Sequence, residues 1–495
     1  MELKKSAIWT LSLFSLNVIT TWASTGNKQT MTSMVNNKIV KPNIIYILAD
    51  DLGYGDLSCY GQKKFSTPNI DKLADEGMLF TSHYAGCTVC APSRSSLLTG
   101  QDTGHTPIRG NKDFGAEGQW PLKGEAFTIA EMLKTGGYAT GCFGKWGLGS
   151  PGSEGDPNNQ GFDEFYGFNC HNLSHNYYPD HLWKNHQKVV LEKNENNQFC
   201  QYAPDLIHQQ ALDFIDKNRS TPFFLYYAST IPHAELIAPE KELVRFRNLY
   251  LPEKVFEGAK PGDEKFRKSA YSRQTEPHAA FAAMVTILDR QVGEIIAKLK
   301  ELGIDKNTIV IFTSDNGPHL EGGADPEHFD SNGPLKGYKR DVYEGGIRVP
   351  MIVRWSGNIK KGSKSDIPSA FWDAMPTFAE ITGLIIPTDI QGISFLPTLF
   401  DRKGQKMHDY FYWEFHEMGG RQALQKDNWK LVRQNVLDPS ITTTELYNLS
   451  TDQGEEDNIA SLYPIKVQEL LQLMKKARIA NDDFQFIEKI SINKQ

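Results

Sequence analysis

The chain has 495 residues, of which 39% are hydrophobic and 23% charged, and its formal net charge is −7. This composition is typical of a soluble globular protein and predicts a large domain with a smaller one. It contains no long basic run, which argues against nucleic acid as a partner, because phosphate binding needs clustered cations. It does not exclude an anionic ligand, since local cations can outweigh the global charge.

The N-terminus predicts an export signal. Lys4 and Lys5 precede an apolar stretch at residues 7–19, which small residues follow. We interpret residues 1–24 as a cleaved signal peptide and expect a periplasmic or secreted protein without a stable membrane anchor. The alternative is a retained anchor, although the stretch is shorter than the ~20 residues that a membrane span needs. No cysteine follows the stretch, so a lipoprotein anchor is not indicated.

The first predicted element after this leader is a strand at residues 43–49. Its unbroken run of β-branched and aliphatic residues is typical of a strand buried on both faces, as in a parallel sheet. Asp50 and Asp51 follow it directly. Next along the chain, Pro68 predicts the first turn of a helix that Gly77 closes.

Strands and helices then alternate. Apolar runs predict strands at 223–227, 308–312 and 350–354, and residues 281–302 have the apolar spacing of a helix. This alternation predicts a layered α/β fold with a large, mainly parallel central sheet between helices.

The pattern changes after about residue 400. Short antiparallel strands are predicted at 410–415, 429–432 and 445–449, followed by an amphipathic helix at 464–479. We therefore predict a large domain at 25–400 and a smaller C-terminal subdomain at 401–495, with a short antiparallel sheet and a helix.

Two acidic groups follow buried strands. Asp50 and Asp51 end the first strand, and Asp315 and Asn316 follow the strand at 308–312. Ligands of α/β sheets bind at the carboxyl ends of the strands, and oxygen ligands favour a hard cation such as Ca²⁺ or Mg²⁺. The alternative for each group alone is a helix cap or a turn. Together they predict a metal site.

The segment from Cys90 to Gly100 predicts a helix with Cys90 at its start, because Pro92 suits a first turn and Gly100 a C-terminal cap. The helix dipole and Arg94 would favour a reactive thiolate there. Two alternatives are a redox pair with Cys87 and a buried, inert cysteine. The six cysteines are too sparse for a disulfide scaffold.

The same segment resembles a known family. Cys90, Pro92 and Arg94, followed by Leu-Leu-Thr-Gly at 97–100, resemble the signature of the type I sulfatases, which belong to the alkaline-phosphatase-like superfamily. Further segments resemble the family in the expected order, namely residues 50–56, 144–146, 232–233, 314–317 and 339–346. The resemblance covers roughly residues 41–460. It implies an alkaline-phosphatase-like fold and makes residues 25–400 the sulfatase catalytic domain.

The resemblance also implies the chemistry. In this family a separate maturation enzyme oxidises the cysteine, here Cys90, to Cα-formylglycine. One Ca²⁺ ion would be held by oxygen ligands and by the side chain at position 90; the residues implied as ligands are Asp50, Asp51, Cys90, Asp315 and Asn316. As a hydrate, the aldehyde offers one hydroxyl to attack sulfur and a second whose deprotonation expels sulfate.

Four further residues acquire roles from the resemblance. Arg94, Lys145 and Lys339 would neutralise charge around the sulfuryl group and the nucleophile. His233 would protonate the leaving oxygen or contact the sulfate. Taken singly, Lys145, His233 and Lys339 are better explained as ordinary surface or turn residues. The ordered set of motifs favours the functional interpretation.

The sequence departs from the family at one position. Many members have a histidine two residues after the lysine that corresponds to Lys145, and here that residue is Gly147. A general acid or base is therefore missing or comes from elsewhere. His175 and His181 lie in a nearby segment rich in histidine and tyrosine. We predict that His175 takes part in the site.

We therefore predict a sulfatase that cleaves sulfate esters on a carbohydrate such as a glycan, glycosaminoglycan or mucin-type sugar. Aromatic segments can stack on sugar rings, and Glu414, His416 and Arg421 are candidate sugar contacts, with packing of a small sheet as the alternative. Two other functions are considered. One is phosphoester or phosphonate hydrolysis by a member of the same superfamily, and the other is non-catalytic glycan binding.

Overall fold

The computed structural model describes residues 41–115, 117–267 and 270–486 of the chain. From Lys41 onward these residues form one compact unit. The expected signal peptide, residues 1–24, lies outside the described residues and stays a prediction, as does the domain boundary near residue 400. Among the described residues, no helix combines the length and the apolar character that crossing a membrane requires.

A large mixed sheet forms the centre of the protein and contains eleven strands among the described residues. Its strands are β1 (Asn43–Asp50), β2 (Met78–Tyr84), β3 (Ala139–Lys145), β4 (Glu164–Phe168), β5 (His181–Lys184), β6 (Gln187–Val190), β7 (Phe223–Pro232), β8 (Thr308–Ser314), β9 (Arg348–Trp355), β10 (Ser363–Ser365) and β11 (Ser369–Ala370). The order is β10-β2-β9-β8-β1-β7-β3-β4-β5-β6, and β11 pairs with β2. The inner strands β8, β1, β7, β3 and β4 are parallel, and antiparallel pairing begins at β9 and β5.

A second, four-stranded antiparallel sheet follows near the C-terminus. Its strands, in spatial order, are β12 (Phe411–Phe415), β13 (Arg421–Lys426), β14 (Trp429–Gln434) and β15 (Thr443–Asn448). The α-helices of the described residues are α1 (Pro68–Asp75), α2 (Cys90–Thr99), α3 (Ile129–Thr135), α4 (His171–Ser174), α5 (Ala203–Lys217), α6 (Glu240–Leu243), α7 (Pro277–Glu301), α8 (Pro326–Phe329), α9 (Glu344–Ile347), α10 (Ala374–Thr382), α11 (Leu396–Leu399) and α12 (Pro464–Lys476). The expected α/β fold with a small antiparallel C-terminal sheet is thus confirmed.

Strand β1 shows why the parallel sheet is buried. Every residue of the strand is buried. Ile45 and Ile47 join the apolar core on one face, which includes residues of α5 and α7, whereas Tyr46 and Leu48 join the core on the other face. Successive side chains of a strand point to opposite faces, so a strand between two helical layers must be apolar throughout.

The structure differs from the predicted elements in three places. Helix α7 begins at Pro277, four residues before the predicted start, because a proline suits the first helical turn. Helix α1 ends at Asp75, before Gly77. The sequence prediction missed β3, whose glycines at 141 and 144 do not fit the usual strand composition.

Candidate active site

The candidate site lies where four neighbouring parallel strands end. In sheet order these are β8, β1, β7 and β3, and each is followed by polar residues at its carboxyl end. The side chains brought together there are Asp50 and Asp51 from β1, Asp315 and Asn316 after β8, His233 after β7 and Lys145 at the end of β3. Cys90 begins α2, a helix that is buried along its whole length. The two predicted acidic groups therefore meet as expected.

The carboxylates and the amide are tied to one another through Asp51. Its backbone N–H donates to Asp315 Oδ1 at 3.0 Å, and Asn316 Nδ2 donates to Asp51 Oδ1 at 2.7 Å. Asp51 has a left-handed backbone, with φ of 63°, a conformation that is uncommon outside glycine and often found at functional sites. Asn316 Oδ1 is buried and has no hydrogen-bond partner among the described residues.

Three cations surround this acidic centre, one for each carboxylate. Arg94 binds Asp315 Oδ2 through Nε and a terminal nitrogen, at 3.1 and 2.8 Å. The ammonium of Lys145 lies 2.7 Å from Asp50 Oδ2, and that of Lys339 lies 2.7 Å from Asp51 Oδ2. All six side chains are buried. The three pairs therefore cancel in formal charge.

Burial opposes charge on these cations, but the carboxylates outweigh it. The pKa of Lys145 lies above its usual value because the Asp50 carboxylate overcomes the effect of burial. In the same way Asp51 raises the pKa of Lys339 well above its usual value despite burial. Both lysines are thus held as ammonium groups.

Cys90 lies among these groups. Its Sγ is 3.4 Å from Lys145 Nζ, 3.5 Å from Asp50 Oδ1 and 4.0 Å from Asp51 Oδ1. Burial raises the pKa of the thiol well above its usual value, and Lys145 and Lys339 only partly oppose this. The expectation of a reactive thiolate at the helix start is therefore not supported, because desolvation exceeds the effect of the two lysines.

The redox alternative does not fit either. All six cysteines lie in the described part of the chain, and none forms a disulfide. The Sγ atom of Cys87 donates to the backbone oxygen of Glu414 at 3.4 Å. Burial raises the pKa of Cys87 to about 12, so this thiol is a poor nucleophile for disulfide exchange.

His233 completes a small cluster with Lys339 and Asp51. Its Nε2 lies 3.0 Å from Lys339 Nζ and 3.3 Å from Asp51 Oδ2. An ammonium can only donate, so Nε2 accepts and the ring proton lies on Nδ1, which donates to the backbone oxygen of Ala234 at 2.5 Å. Burial and Lys339 lower the pKa of this ring well below its usual value, which agrees with a neutral imidazole.

His175 and His181 lie in different environments. His175 stacks on His233, with ring centroids 4.7 Å apart and an angle of 9° between the rings. His181 lies on β5 between Asp180 and Glu117, at 2.6 and 3.0 Å, and does not line the cavity around Cys90. Of these two candidates, the structure brings only His175 to the site.

A cavity of about 270 Å³ opens over Cys90. The reacting groups expected from the sequence that line it are Cys90, Lys145, His175, His233 and Lys339, and the other lining residues are Asn111, Asp113, Gln119, His171, Asn172, Tyr271, Arg340 and Glu417. Sequence reasoning missed His171. The signal available for it was its place in the same histidine-rich segment as His175.

The proposed sugar contacts from the C-terminal sheet are internal instead. Glu414 is fully buried and binds Arg109 and Arg478 at 3.2 and 2.7 Å. His416 lies 3.0 Å from the same carboxylate, and Arg421 binds Asp341 at 2.5 Å. These charges hold distant segments together, so the packing alternative applies to all three candidates.

The residues of the acidic centre fit a hard cation. The ligand atoms of Asp50, Asp51, Cys90 and His233 lie within 4.8 Å of one another, and Asp315 and Asn316 contact Asp51. The donors are mainly carboxylate oxygens, and the buried amide oxygen of Asn316 lacks a partner. Oxygen donors of this kind suit Ca²⁺ or Mg²⁺ better than zinc.

Comparison with known proteins identifies the family. The model of the Sulfatase family matches residues 42–384, and the model described as N-sulphoglucosamine sulphohydrolase, C-terminal, matches residues 337–481. N-acetylgalactosamine-6-sulfatase of Rattus norvegicus is 34% identical over 384 residues, which cover 72% of this chain and 66% of the rat protein. N-acetylgalactosamine-6-O-sulfatase of Bacteroides thetaiotaomicron is 30% identical over 531 residues, which cover 88% of this chain and 93% of the relative.

A solved structure shares the whole architecture. The crystal structure of Ps i-CgsB in complex with k-i-k-neocarrahexaose superposes with a TM-score of 0.73 at 29% identity, and the match covers 88% of this chain and 92% of the other. The site at the strand ends, the two family matches and these relatives lead to one conclusion. The chain belongs to the sulfatase family and is a sulfuric ester hydrolase.

Proposed function

We propose that this protein hydrolyses sulfate esters on a carbohydrate, with a Cα-formylglycine made from Cys90 and with one Ca²⁺ ion. The observation that carries the proposal is the position of Cys90 Sγ, 3.4 Å from Lys145 Nζ and 3.5 Å from Asp50 Oδ1, at the floor of a cavity. A nucleophile between fixed cations suits attack on an anionic ester, because the cations stabilise the charge that develops in the transition state.

Calcium would be held by the side chain at position 90 and by the four oxygen-bearing residues Asp50, Asp51, Asp315 and Asn316. The unpartnered Asn316 Oδ1 supports this assignment. Bound there, the ion would polarise the sulfate oxygens and the nucleophile. The six charged side chains of the site already cancel, so a divalent cation would leave the site positive overall, which favours a sulfate ester.

The side chain at position 90 needs its modification. The thiol is buried and its pKa is raised, so it is protonated and weakly nucleophilic near neutral pH. A hydrated aldehyde at this position would supply two hydroxyls on one carbon, one to attack sulfur and one to expel sulfate. We therefore expect a formylglycine-generating enzyme to be the partner required for maturation.

The three cations have separate tasks. Arg94 donates to Asp315 and, at 2.5 Å, to the backbone oxygen of Lys145, so it fixes the acidic centre against the end of β3. Lys145 contacts both Asp50 and Cys90 and would neutralise charge on the nucleophile and the sulfuryl oxygens. Lys339 contacts Asp51 and His233 instead.

His233 and Lys339 would serve the leaving oxygen. The contact of 3.0 Å between Lys339 Nζ and His233 Nε2 holds a proton between the two nitrogens. This pair would protonate the sugar oxygen as the S–O bond breaks. His175 stacks on His233 and would orient that ring and contact the substrate. All three side chains line the cavity.

A carbohydrate fits the remaining walls of the cavity. Asn111, Asp113, Gln119 and Glu417 supply carboxylate and amide groups, and sugar hydroxyls can donate to or accept from such groups. Tyr271 adds an aromatic face. Relatives named as N-acetylgalactosamine-6-sulfatases support a sulfated sugar of the galactose or N-acetylgalactosamine type. Export to the periplasm or the medium would bring the enzyme to such glycans.

The test is a panel of defined sulfated mono- and oligosaccharides, with matched phosphate esters, assayed on protein produced together with a maturation enzyme. We expect sulfate release from at least one sulfated sugar and none from the phosphate esters. The Cys90→Ala variant, purified in the same way, is the control for contaminating activity. Faster hydrolysis of the phosphate esters than of every sulfated sugar would reject the proposal in favour of phosphoester hydrolysis.

A further inference from the structure

His171 lies in the cavity with an unused ring nitrogen. It begins α4 and is only 7% exposed. Its backbone is held firmly, because its N–H donates to Gln119 Oε1 at 2.9 Å and its carbonyl oxygen accepts from Ser174 Oγ at 2.7 Å. Its Nε2 is buried without a hydrogen-bond partner among the described residues. A buried polar atom left unpaired costs stability, so its retention calls for an explanation.

The ring points at Gly147. A Cβ atom placed on Gly147 would lie 2.4 Å from His171 Nε2, so the histidine occupies the space where a side chain at position 147 would begin. Gly147 also has a φ of 80°, which disfavours other residues. The two segments are pinned together, since Gly147 N–H donates to the backbone oxygen of Asn169 at 3.0 Å.

Gly147 connects His171 to the strand end that carries Lys145. Gly147 lies two residues after Lys145, whose ammonium is 3.4 Å from Cys90 Sγ. Both Lys145 and His171 line the same cavity as Cys90. His233 Nε2, by contrast, already accepts from Lys339. Of these two histidines, only His171 therefore has an Nε2 atom that no other side chain occupies.

Resting on the proposed function, we propose that His171 is the catalytic base of the sulfate-release step and replaces the side chain that Gly147 lacks. In that step the free hydroxyl on the side chain at position 90 gives its proton to Nε2. The O–H electron pair forms the C=O bond of the aldehyde, the C–O bond to sulfate breaks, and sulfate leaves with that bonding pair. The imidazolium then returns its proton to water.

Electrostatics agree with a base at this point. Burial, together with Lys145 and Arg94, lowers the pKa of the His171 ring well below its usual value. The ring is therefore neutral near neutral pH and can accept a proton. The carboxylates of the acidic centre are each bound to a cation, so they are weaker candidates for this task.

The first test is the variant His171→Ala, with formylglycine content checked by peptide mass spectrometry. We expect kcat on the sugar sulfate to fall by about 10²-fold or more without a rise in KM. Because release is blocked after attack, the peptide containing position 90 should carry a sulfate adduct during turnover. The matched control is His208→Ala, which removes another buried histidine. His208 lies on α5, outside the cavity, and its Nε2 is 2.7 Å from Glu294. This control should show neither effect.

A second measurement keeps His171 in place and needs no turnover. The Cys90→Ala variant is labelled with ¹³C-histidine for NMR, and the ring signal of His171 is assigned by its loss in the double variant with His171→Ala. We expect this signal to shift when inorganic sulfate is added. The inference is overturned if His171→Ala retains kcat within about threefold of wild type, or if it loses kcat without accumulating a sulfate adduct. It is also overturned if added sulfate leaves the His171 signal unchanged. A wild-type enzyme that releases no sulfate from any sugar would instead overturn the proposed function.

Discussion

Two groups of buried charges can be compared in this protein. The site cluster consists of Asp50, Asp51, Arg94, Lys145, Asp315 and Lys339. The junction cluster joins α9 to the C-terminal sheet and consists of Glu344, Arg348, Lys430 and Glu455. Both have zero formal charge. They differ in surroundings, because Lys145 and Lys339 of the site cluster line a cavity, whereas all four members of the junction cluster are buried away from it.

The junction cluster shows what a structural charge network looks like here. Lys430 Nζ lies 2.8 Å from Glu344 Oε1 and 3.0 Å from Glu455 Oε1. The remaining Glu344 oxygen accepts from Tyr84 OH at 2.9 Å, and the Glu344 N–H donates to Glu455 Oε2 at 2.6 Å. The site cluster instead contacts the thiol of Cys90 and the amide of Asn316, whose oxygen has no hydrogen-bond partner among the described residues. The junction charges bond to one another and to neighbouring protein groups, which indicates assembly. The site cluster lies beside a cavity, which indicates function.

The two clusters are connected through the chain. Glu344 begins α9, and the next residue, Gly345, donates its N–H to the backbone oxygen of Lys336 at 2.7 Å. The loop that carries Lys339 is thus fixed to the helix that the junction cluster holds. The C-terminal sheet therefore contributes to the site by positioning Lys339 and not by contacting a sugar through Glu414.

The largest expected effect is on stability, in the junction cluster. Lys430→Met leaves Glu344 and Glu455 buried together without their shared cation, so we expect the free energy of unfolding to fall by about 3–5 kcal/mol. Chemical denaturation, followed by fluorescence and circular dichroism, measures this. A loss below about 1 kcal/mol would contradict the structural role of the cluster.

The matching change in the site cluster should mainly affect catalysis. Lys145→Met removes the cation nearest the nucleophile, and we expect kcat to fall by about 10²–10³-fold. Asp50 keeps Arg94 at 3.5 Å, so the loss of stability should be less than that of Lys430→Met. Steady-state kinetics and denaturation of both variants give the comparison. It breaks down if Lys145→Met unfolds as easily as Lys430→Met yet keeps wild-type kcat.

Calcium removal should act on the site cluster alone. With calcium at about 100 times its dissociation constant, chelation should lower the free energy of unfolding by about 3 kcal/mol and abolish sulfate release. Added Ca²⁺ should restore both. Thermal unfolding with and without a chelator measures the shift, and the variant Asp315→Asn should respond less because it removes a ligand. An unchanged unfolding temperature and full activity in chelator would exclude the ion.

The smallest effect expected is a pH dependence in the junction cluster. Burial raises the pKa of Glu455 to about 7, above its value in the unfolded chain. Folding therefore favours the protonated form, and this contribution to stability is present below about pH 4.5 and lost as the pH rises through about 7. Between about pH 5 and pH 8, wild type should lose about 1–3 kcal/mol more unfolding free energy than Glu455→Gln. Equal slopes would contradict the raised pKa.

The sequence predicts those parts of the fold and site that depend on local pattern. The apolar run before Asp50 identifies β1, and the proline and glycine around Cys90 identify α2. The meeting of Asp51 and Asp315 follows from a general rule, because carboxyl ends of parallel strands share one edge of a sheet.

Other features depend on distant contacts that no local pattern encodes. His233 and Lys339 are 106 residues apart, and their contact sets the tautomer of the histidine. Glu414 lies on a strand with aromatic neighbours, so its sequence context suggests an exposed carboxylate. In the structure it is buried and forms ion pairs with Arg109 and Arg478, which are distant in sequence. The role of His171 depends on the space left by Gly147, which only the folded backbone reveals.

The most direct test of the central claim is the mass of the peptide that contains position 90, measured on protein with demonstrated sulfate release. We expect the peptide to show the mass loss for conversion of CH₂–SH to an aldehyde, to react with a hydrazine probe, and to do so in proportion to specific activity across preparations. Fully active protein in which this peptide carries only the unmodified thiol would contradict the proposed mechanism.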